Sequence, residues 1–272
     1  MDVLVVDESE QVCRLRLNRP RVHNALNEDR RSGLQRELDR LRDTPTVRVV
    51  VLEGEGASFC SGIGLLSFAE VMSGRAPVAA AWVERRHALG AWQRLVDDLE
   101  RLPQVTVARL QGRVVDGGVV LAAACHIRVA AEDVALHLPE LAFGVPLAWG
   151  GVPRLIRELG IPLARDLVLT GRTMTASEAH RAGFVQRLVP VDDLGESVST
   201  VVGQLLAAVD GPLAITKAMF AGVTRAAGGV ASWSDPDLLG WSAGEAGTAP
   251  AAALAIDRTT ARRARHSDGK SM

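Results

Sequence analysis

An α/β fold with parallel strand pairing is what this sequence predicts, and three observations predict it. Strand–helix–strand modules recur through residue 130. Residues 47–52 are a continuous apolar run, the pattern of a strand buried on both faces. Residues 108–140, ARLQGRVVDGGVVLAAACHIRVAAEDVALHLPE, read as strand, glycine turn, short apolar helix, strand, and then a carboxylate behind a proline.

Taken in order, residues 3–6 and 12–17 form a predicted strand pair. In the second strand Cys13, Leu15 and Leu17 face one way and Arg14 and Arg16 the other, a period of two. Asn27 is suited to cap a helix with Glu28 and Asp29 in its first turn, and Leu34, Leu38 and Leu41 then mark one helical face. The buried strand at 47–52 runs into a glycine-rich loop, GEGASFCSGIG. Residues 78–101 read as a helix with Trp82, Leu89, Trp92, Val96 and Leu99 on a broad stripe, ended by Pro103. Residues 105–110 give another strand. Residues 147–159 and 176–182 read as helices stopped by Gly160 and Gly183, and residues 191–224 as mainly helical. Residues 227–253 are rich in Gly, Ala and Ser, and the basic, polar end ARRARHSDGKSM predicts a disordered tail.

Composition excludes several function classes. The chain has 272 residues, 47% hydrophobic and 23% charged, with a net charge of -1, enough for one large domain or one domain plus an appendage. Near-neutral charge leaves no electrostatic footprint for nucleic acid. Cys13, Cys60 and Cys125 are far apart and form no C-x-x-C pair, so neither a zinc site nor a disulfide framework is indicated. The N-terminal residues MDVLVVDESE carry no basic segment of the kind that opens a signal peptide, and the longest apolar run, residues 119–125, is too short to span a bilayer. A reduced, cytoplasmic setting with no membrane partner and no metal is expected.

Two glycine segments each follow a strand: Ser61-Gly62-Ile63-Gly64 and Asp116-Gly117-Gly118. Glycine lets backbone approach a ligand closely, and two N–H groups from two such loops can hold a carbonyl oxygen as it becomes negative. Gly117 falls at a helix start, where free N–H groups and the helix dipole favour an anion. Glu140 arrives from a later loop as one general acid/base, or as a plain surface carboxylate. Cys60 beside Ser61 has no Ser-His-Asp spacing or G-x-S-x-G around it and reads as a buried cysteine.

These segments, in this order, resemble the crotonase family, also called enoyl-CoA hydratase/isomerase. Arg19-Pro20 followed by His23-Asn24-Ala25-Leu26 resembles its opening motif. Residues 59–65, FCSGIGL, resemble its first oxyanion loop, F-x-x-G-x-D-L. Gln111-Gly112 and Asp116-Gly117-Gly118 resemble its second, G-x-x-x-G-G-G. Leu138-Pro139-Glu140 with Gly144 is similar to its P-E-x-x-x-G segment, and residues 169–185 to the segment that closes the core.

The resemblance implies a spiral of ββα units over residues 1–190 holding an acyl-CoA site. A C-terminal helical region follows at 191–260, suited to trimer contacts, and then the tail at 261–272. It implies that the Ile63 and Gly117 N–H groups form an oxyanion hole for a thioester carbonyl, with Glu140 as catalyst. The substrate would be an acyl-CoA or acyl-carrier thioester, lying against Val22, Asn24, Ala25, Leu26, Gly64, Leu65, Leu66, Val120 and Trp149. Coenzyme A would be part of the substrate, with no separate cofactor, and the assembly a homotrimer or hexamer.

The departures from the family pattern are equally informative. Hydratases of the family use two glutamates, and the second corresponds to Val120 here, which cannot transfer a proton. Loss of a positioned acid/base typically costs about 10²–10⁴ in rate. Moving a double bond from the 3,4 to the 2,3 position needs one base, so an enoyl-CoA isomerase using Glu140 is the first expectation. Hydratase, lyase or decarboxylase action on a specialised thioester is the related alternative, and a non-catalytic acyl-CoA-binding subunit the distinct one. Gly64 replaces a usual Asp. Asp116 replaces the first glycine of the triplet, read first as a turn residue and otherwise as an extra acid beside the pocket. His137 is read first as structural and otherwise as a proton relay, His126 as a strand-start residue, and Trp149 equally as pocket lining or core.

Overall fold

Alternation of apolar and charged residues at the N-terminus folds as the hairpin it predicts. In the computed structural model, which describes residues 3–63, 86–87, 89–228 and 235, β1 (Leu4–Ser9) pairs antiparallel with β2 (Val12–Leu17). Cys13, Leu15 and Leu17 are fully buried, while Arg16 on the other face pairs with Glu53 at 2.8 Å. Asn27 caps α1 (Glu28–Arg42), its side chain accepting from the Arg30 N–H, and Leu34, Leu38 and Leu41 turn inward.

The apolar run becomes β3 (Val49–Gly54), buried at every residue and paired parallel to β2 and to β4 (Val105–Leu110). Burial on both faces is the reason this strand lacks alternation. Of the helix expected at 78–101, α2 (Ala91–Arg101) is described, burying Trp92, Leu95, Val96 and Leu99; Trp82 lies outside the described residues. β6 (Ile127–Ala131) and β9 (Arg187–Val189) complete a six-stranded sheet of order β1-β2-β3-β4-β6-β9, parallel except at β1–β2. A second sheet of order β5-β7-β8 joins β5 (Arg113–Val115), β7 (Ala135–His137) and β8 (Met174–Thr175).

Between β5 and β6 runs α3 (Gly117–Ala124), apolar all round and buried at every residue. It can be so because its neighbours close over it: Leu95, Leu155 and Trp149 belong to the same hydrophobic cluster. A smaller cluster forms where Leu194, Val198, Val201 and Val202 of α6 (Leu194–Ala207) pack on Val49, Val51, Val107 and Val129 of the main sheet. Of the C-terminal helical region expected at 191–260, α6 and α7 (Asp210–Gly228) are described; the expected tail lies outside the described residues.

The helix expected at 147–159 is corrected at its start. Trp149 and Gly150 take positive φ (60° and 67°), so α4 (Gly151–Thr170) starts only at residue 151. Gly160 (φ 73°, ψ 160°) has non-helical backbone and ends the first helical segment where the stop was expected; a second segment runs directly on from it, and Pro162 sits near its start, where its missing N–H costs little. The chain leaves at Gly171 (φ 62°), and α5 (Ala176–Arg181) follows. Among the described residues no single helix is long and apolar enough to cross a membrane.

Candidate active site

The loop after β3 is held from three sides. Gln111 Nε2 donates to the carbonyls of Gly54 (2.6 Å) and Gly56 (3.2 Å). Asn24 Nδ2 donates to those of Glu55 (2.9 Å) and Ser58 (2.7 Å), and His23 Nδ1 meets Ser58 Oγ at 3.0 Å. Leu26 N–H donates to the Gly62 carbonyl at 2.7 Å, and Leu26 bridges Ile63. The Ile63 N–H thereby acquires a fixed direction.

The second loop approaches from β5. Asp116 has φ 53° and ψ −125°, backbone that favours glycine, and its N–H donates to the His137 carbonyl at 2.9 Å. Next comes Gly117, the first residue of α3. A Cβ there would lie 2.0 Å from the Trp149 ring, so only glycine lets that indole reach the helix start. Trp149 in turn stacks on Trp92, centroids 4.6 Å apart and planes 12° from parallel. Trp149 is thus core packing and a wall beside Gly117 at once.

Glu140 opens a 3-10 turn (Glu140–Phe143) behind Pro139 and is 6% exposed. All three segments meet at the Asp116 side chain. Its Oδ2 accepts from the Ile63 N–H at 2.7 Å, its carboxylate also accepts from the Gly117 N–H, and it is hydrogen-bonded to the Glu140 carboxyl. Burial, then the adjacent Asp116 charge, holds Glu140 well above the usual carboxylate range. Burial also raises Asp116, but the bonds from Glu140, Ile63 and Gly117 oppose it. The pair therefore shares one proton, with Glu140 its carrier and Asp116 the anion. Glu140 Oε1 is buried with no hydrogen-bond partner among the described residues.

Asp116 is a turn residue of positive φ, as first read, and its carboxyl also meets Glu140, as the second reading requires. Spacing alone could not show this; the signal was a side chain standing in a glycine slot. His137 bonds the Arg172 backbone and borders a small cavity lined by Val119, Leu155 and Met174, and burial lowers its pKa, an environment that suits the structural role. Val120 is buried and apolar, as is Leu26. Asn24 is fully buried, and the loop turn occupies its amide. Ala25 is 8% exposed with its carbonyl taken by Arg30 at 3.0 Å, which leaves Val22, 37% exposed, as the accessible member of that group. Gly64, Leu65 and Leu66 lie outside the described residues.

Other reactive side chains have structural roles. Burial pushes the Cys60 thiol up to about 12, far from a thiolate nucleophile. His126 accepts from the Thr106 N–H at 3.1 Å, and burial pushes it down to about 3, a neutral ring. A polar cleft of about 480 Å³ lies elsewhere, among Arg14, Arg16, Glu53 and Arg109. It is an open, ion-paired surface without the orphaned carboxyl oxygen that marks Glu140.

Comparison with known proteins gives a concordant picture. The family model described as Enoyl-CoA hydratase/isomerase matches residues 7–231. A Mycobacterium bovis protein described as "Probable enoyl-CoA hydratase" is 32% identical over 209 residues, 76% of this chain and 77% of that one. The 2,3-dehydroadipyl-CoA hydratase of Escherichia coli is 33% identical over 192 residues, 71% of each chain. Among solved structures, an enoyl-CoA hydratase from Bacillus anthracis superposes with TM-score 0.73 at 30% identity, covering 80% of this chain and 82% of its own. An enoyl-CoA hydratase/isomerase from Mycobacterium paratuberculosis reaches TM-score 0.84 over 93% of this chain and 98% of its own, a likeness of fold at 23% identity.

Proposed function

The chain belongs to the crotonase family of acyl-CoA enzymes, enoyl-CoA hydratase/isomerase, and within it we propose an enoyl-CoA isomerase with Glu140 as its acid/base. One observation carries the reading. The Ile63 and Gly117 N–H groups bind a single carboxylate, and the Glu140 carboxyl touches that same anion. Two donors that converge on one anion beside a proton carrier are what an enolate intermediate requires.

In the proposed reaction the thioester oxygen accepts from both N–H groups. Ionised Glu140 takes the Cα proton, and the electron pair of that C–H bond passes into the enolate, whose negative oxygen the two donors stabilise. Each such donor is typically worth about 3–4 kcal/mol. Glu140 then returns the proton at Cγ, so the double bond moves from 3,4 to 2,3 and no atom is gained or lost. The CoA portion would pass Val22, the accessible member of the 22–26 group. Val120 favours isomerisation over hydration, since a buried valine neither orients nor activates water.

Hydration is the second reading, favoured by Asp116 as a second carboxyl in contact with Glu140 and by relatives named as hydratases. Purified protein offered 3-enoyl-CoA and 2-enoyl-CoA separates the two. Isomerisation should be the faster reaction, and Glu140→Gln should lower it by about 10²–10⁴. Hydration as fast as isomerisation, or activity that survives Glu140→Gln, sinks the isomerase reading.

A further inference from the structure

We propose that Asp116 is a built-in competitor of the substrate: its carboxylate holds the two backbone N–H donors that the thioester oxygen needs, and an acyl thioester binds by turning it out. This rests on the acyl-thioester reading of the site. The Ile63 N–H donates to Asp116 Oδ2 at 2.7 Å, and the Gly117 N–H is spent on the same carboxylate. An N–H committed to one oxygen is not free for another.

Space makes the competition strict. Asp116 packs so tightly against the first loop that a Cβ on Gly62 would lie 2.4 Å from the Asp116 Cβ. The start of α3 closes the other side. Its backbone is tied down by the Asp116 N–H to His137 carbonyl bond at 2.9 Å, so the movable part is the side chain, by rotation about Cα–Cβ. Its conformation, φ 53° and ψ −125°, is one that glycine adopts without strain. A side chain kept there against that strain, on the donor pair itself, is a feature to be explained by what it does.

Displacement has a second consequence. Once Asp116 loses its two donors, its charge is no longer stabilised, and proton transfer requires the turned-out carboxyl to keep the contact with Glu140 that it makes while seated on them. The proton then passes from the Glu140 carboxyl oxygen to an Asp116 Oδ. Asp116 becomes neutral and Glu140 ionised, which is the form able to remove a Cα proton. The oxygen that takes over the donors thus also arms the base. Asp116 acts through those donors and through Glu140, and is a positioning residue.

Calorimetric affinities for butyryl-CoA and for free CoA, on the whole chain and on Asp116→Gly, test this. Free CoA has no thioester carbonyl. Asp116→Gly should bind butyryl-CoA at least about tenfold more tightly, the worth of one hydrogen bond to a charged group, and free CoA as before. With 3-enoyl-CoA the same variant should lower KM and kcat together, since Glu140 loses its proton acceptor. Equal or weaker butyryl-CoA binding, or an equal gain for both ligands, overturns the proposal. If neither protein binds butyryl-CoA, the acyl-thioester reading falls with it; if both bind equally, only the competition falls. A crystal structure of the unsubstituted chain with butyryl-CoA decides independently of how well the variant folds. The thioester oxygen on the Ile63 N–H with Asp116 displaced supports competition, and Asp116 still on that N–H refutes it.

Discussion

Glu140 and Asp116 turn a buried carboxyl pair into a pH-dependent element of both stability and rate. Glu140 has its folded value raised above the ordinary 4.5, so folding favours its protonated form. The stability this contributes is present below the unfolded value and is lost as pH rises through the raised folded value, because the unfolded chain releases the proton first. Glu140→Gln cannot ionise. Urea unfolding at about pH 4 and about pH 8 should therefore find the variant gaining on the unsubstituted protein as pH rises. The reverse trend would mean that Glu140 is ionised in the folded state. Catalysis runs the other way: as a base Glu140 must be ionised, so in Asp116→Gly, which leaves it no proton acceptor in the site, kcat should rise with pH along a limb that burial displaces above the usual carboxylate range. Gly117 and Glu140 were legible in the sequence as a glycine turn and a carboxylate behind proline. Their meeting through Asp116 was not, because it depends on a positive φ at a residue whose type does not advertise one.

At the scale of elements, α3 is positioned at its two ends by residues that differ in how readable they were. Its first residue lies under Trp149, so Gly117→Ala should force the indole off its stack with Trp92. The expected readouts are a changed tryptophan fluorescence spectrum, a lowered melting temperature and weakened activity; an unchanged spectrum would show that the stack absorbs the methyl group. The other end is closed by Arg128, 1% exposed, which donates to the carbonyls of Ala122 (3.1 Å) and Cys125 (2.6 Å), ion-pairs with Glu158 at 2.5 Å and lies over the Phe184 ring at 4.8 Å. Arg128→Ala takes that donor from the Cys125 carbonyl and breaks the buried ion pair to Glu158, and its cost in urea unfolding should be about 3–5 kcal/mol. A loss under about 1 kcal/mol would mean that water replaces the guanidinium. Nothing in the alternation around residues 127–131 marks Arg128 as interior, because a strand of this register is expected to turn an arginine to solvent. The strands around it were readable for the opposite reason: continuous apolar runs have few other places to go. Gly160 was readable as a break, but glycine does not say that a second helical segment resumes directly beyond it.

The whole molecule leaves a broad apolar surface on its last two long helical elements. On α4, Ile161 is 51% and Leu169 63% exposed; on α7, Ile215 is 63%, Met219 67% and Val223 71% exposed. Isolated exposed apolar residues are ordinary, but a row repeating at i, i+4 and i+8 along one helix marks a surface that meets another apolar one. A second copy of the chain fits that role, in keeping with the homotrimer or hexamer expected for the C-terminal helices. Ile215 and Met219 contribute little to the fold of one chain, so Ile215→Asp with Met219→Asp should change its stability by only a few tenths of a kcal/mol, roughly the range of surface substitutions. Placed in an apolar contact between copies, the same two charges must be desolvated without partners, which is far more costly. Light scattering should then report a fall from the mass of a trimer or hexamer toward that of a single chain, with an unchanged circular dichroism spectrum. The competing outcome is a mass that stays at one chain in both proteins, or at the full assembly in both; either would mean that α7 is not where copies meet. Among the described residues, Ile63, Asp116, Gly117 and Glu140 all come from one chain. Dispersed subunits should therefore keep the carboxyl pair, and with it the difference between the unsubstituted and Glu140→Gln chains in how stability depends on pH.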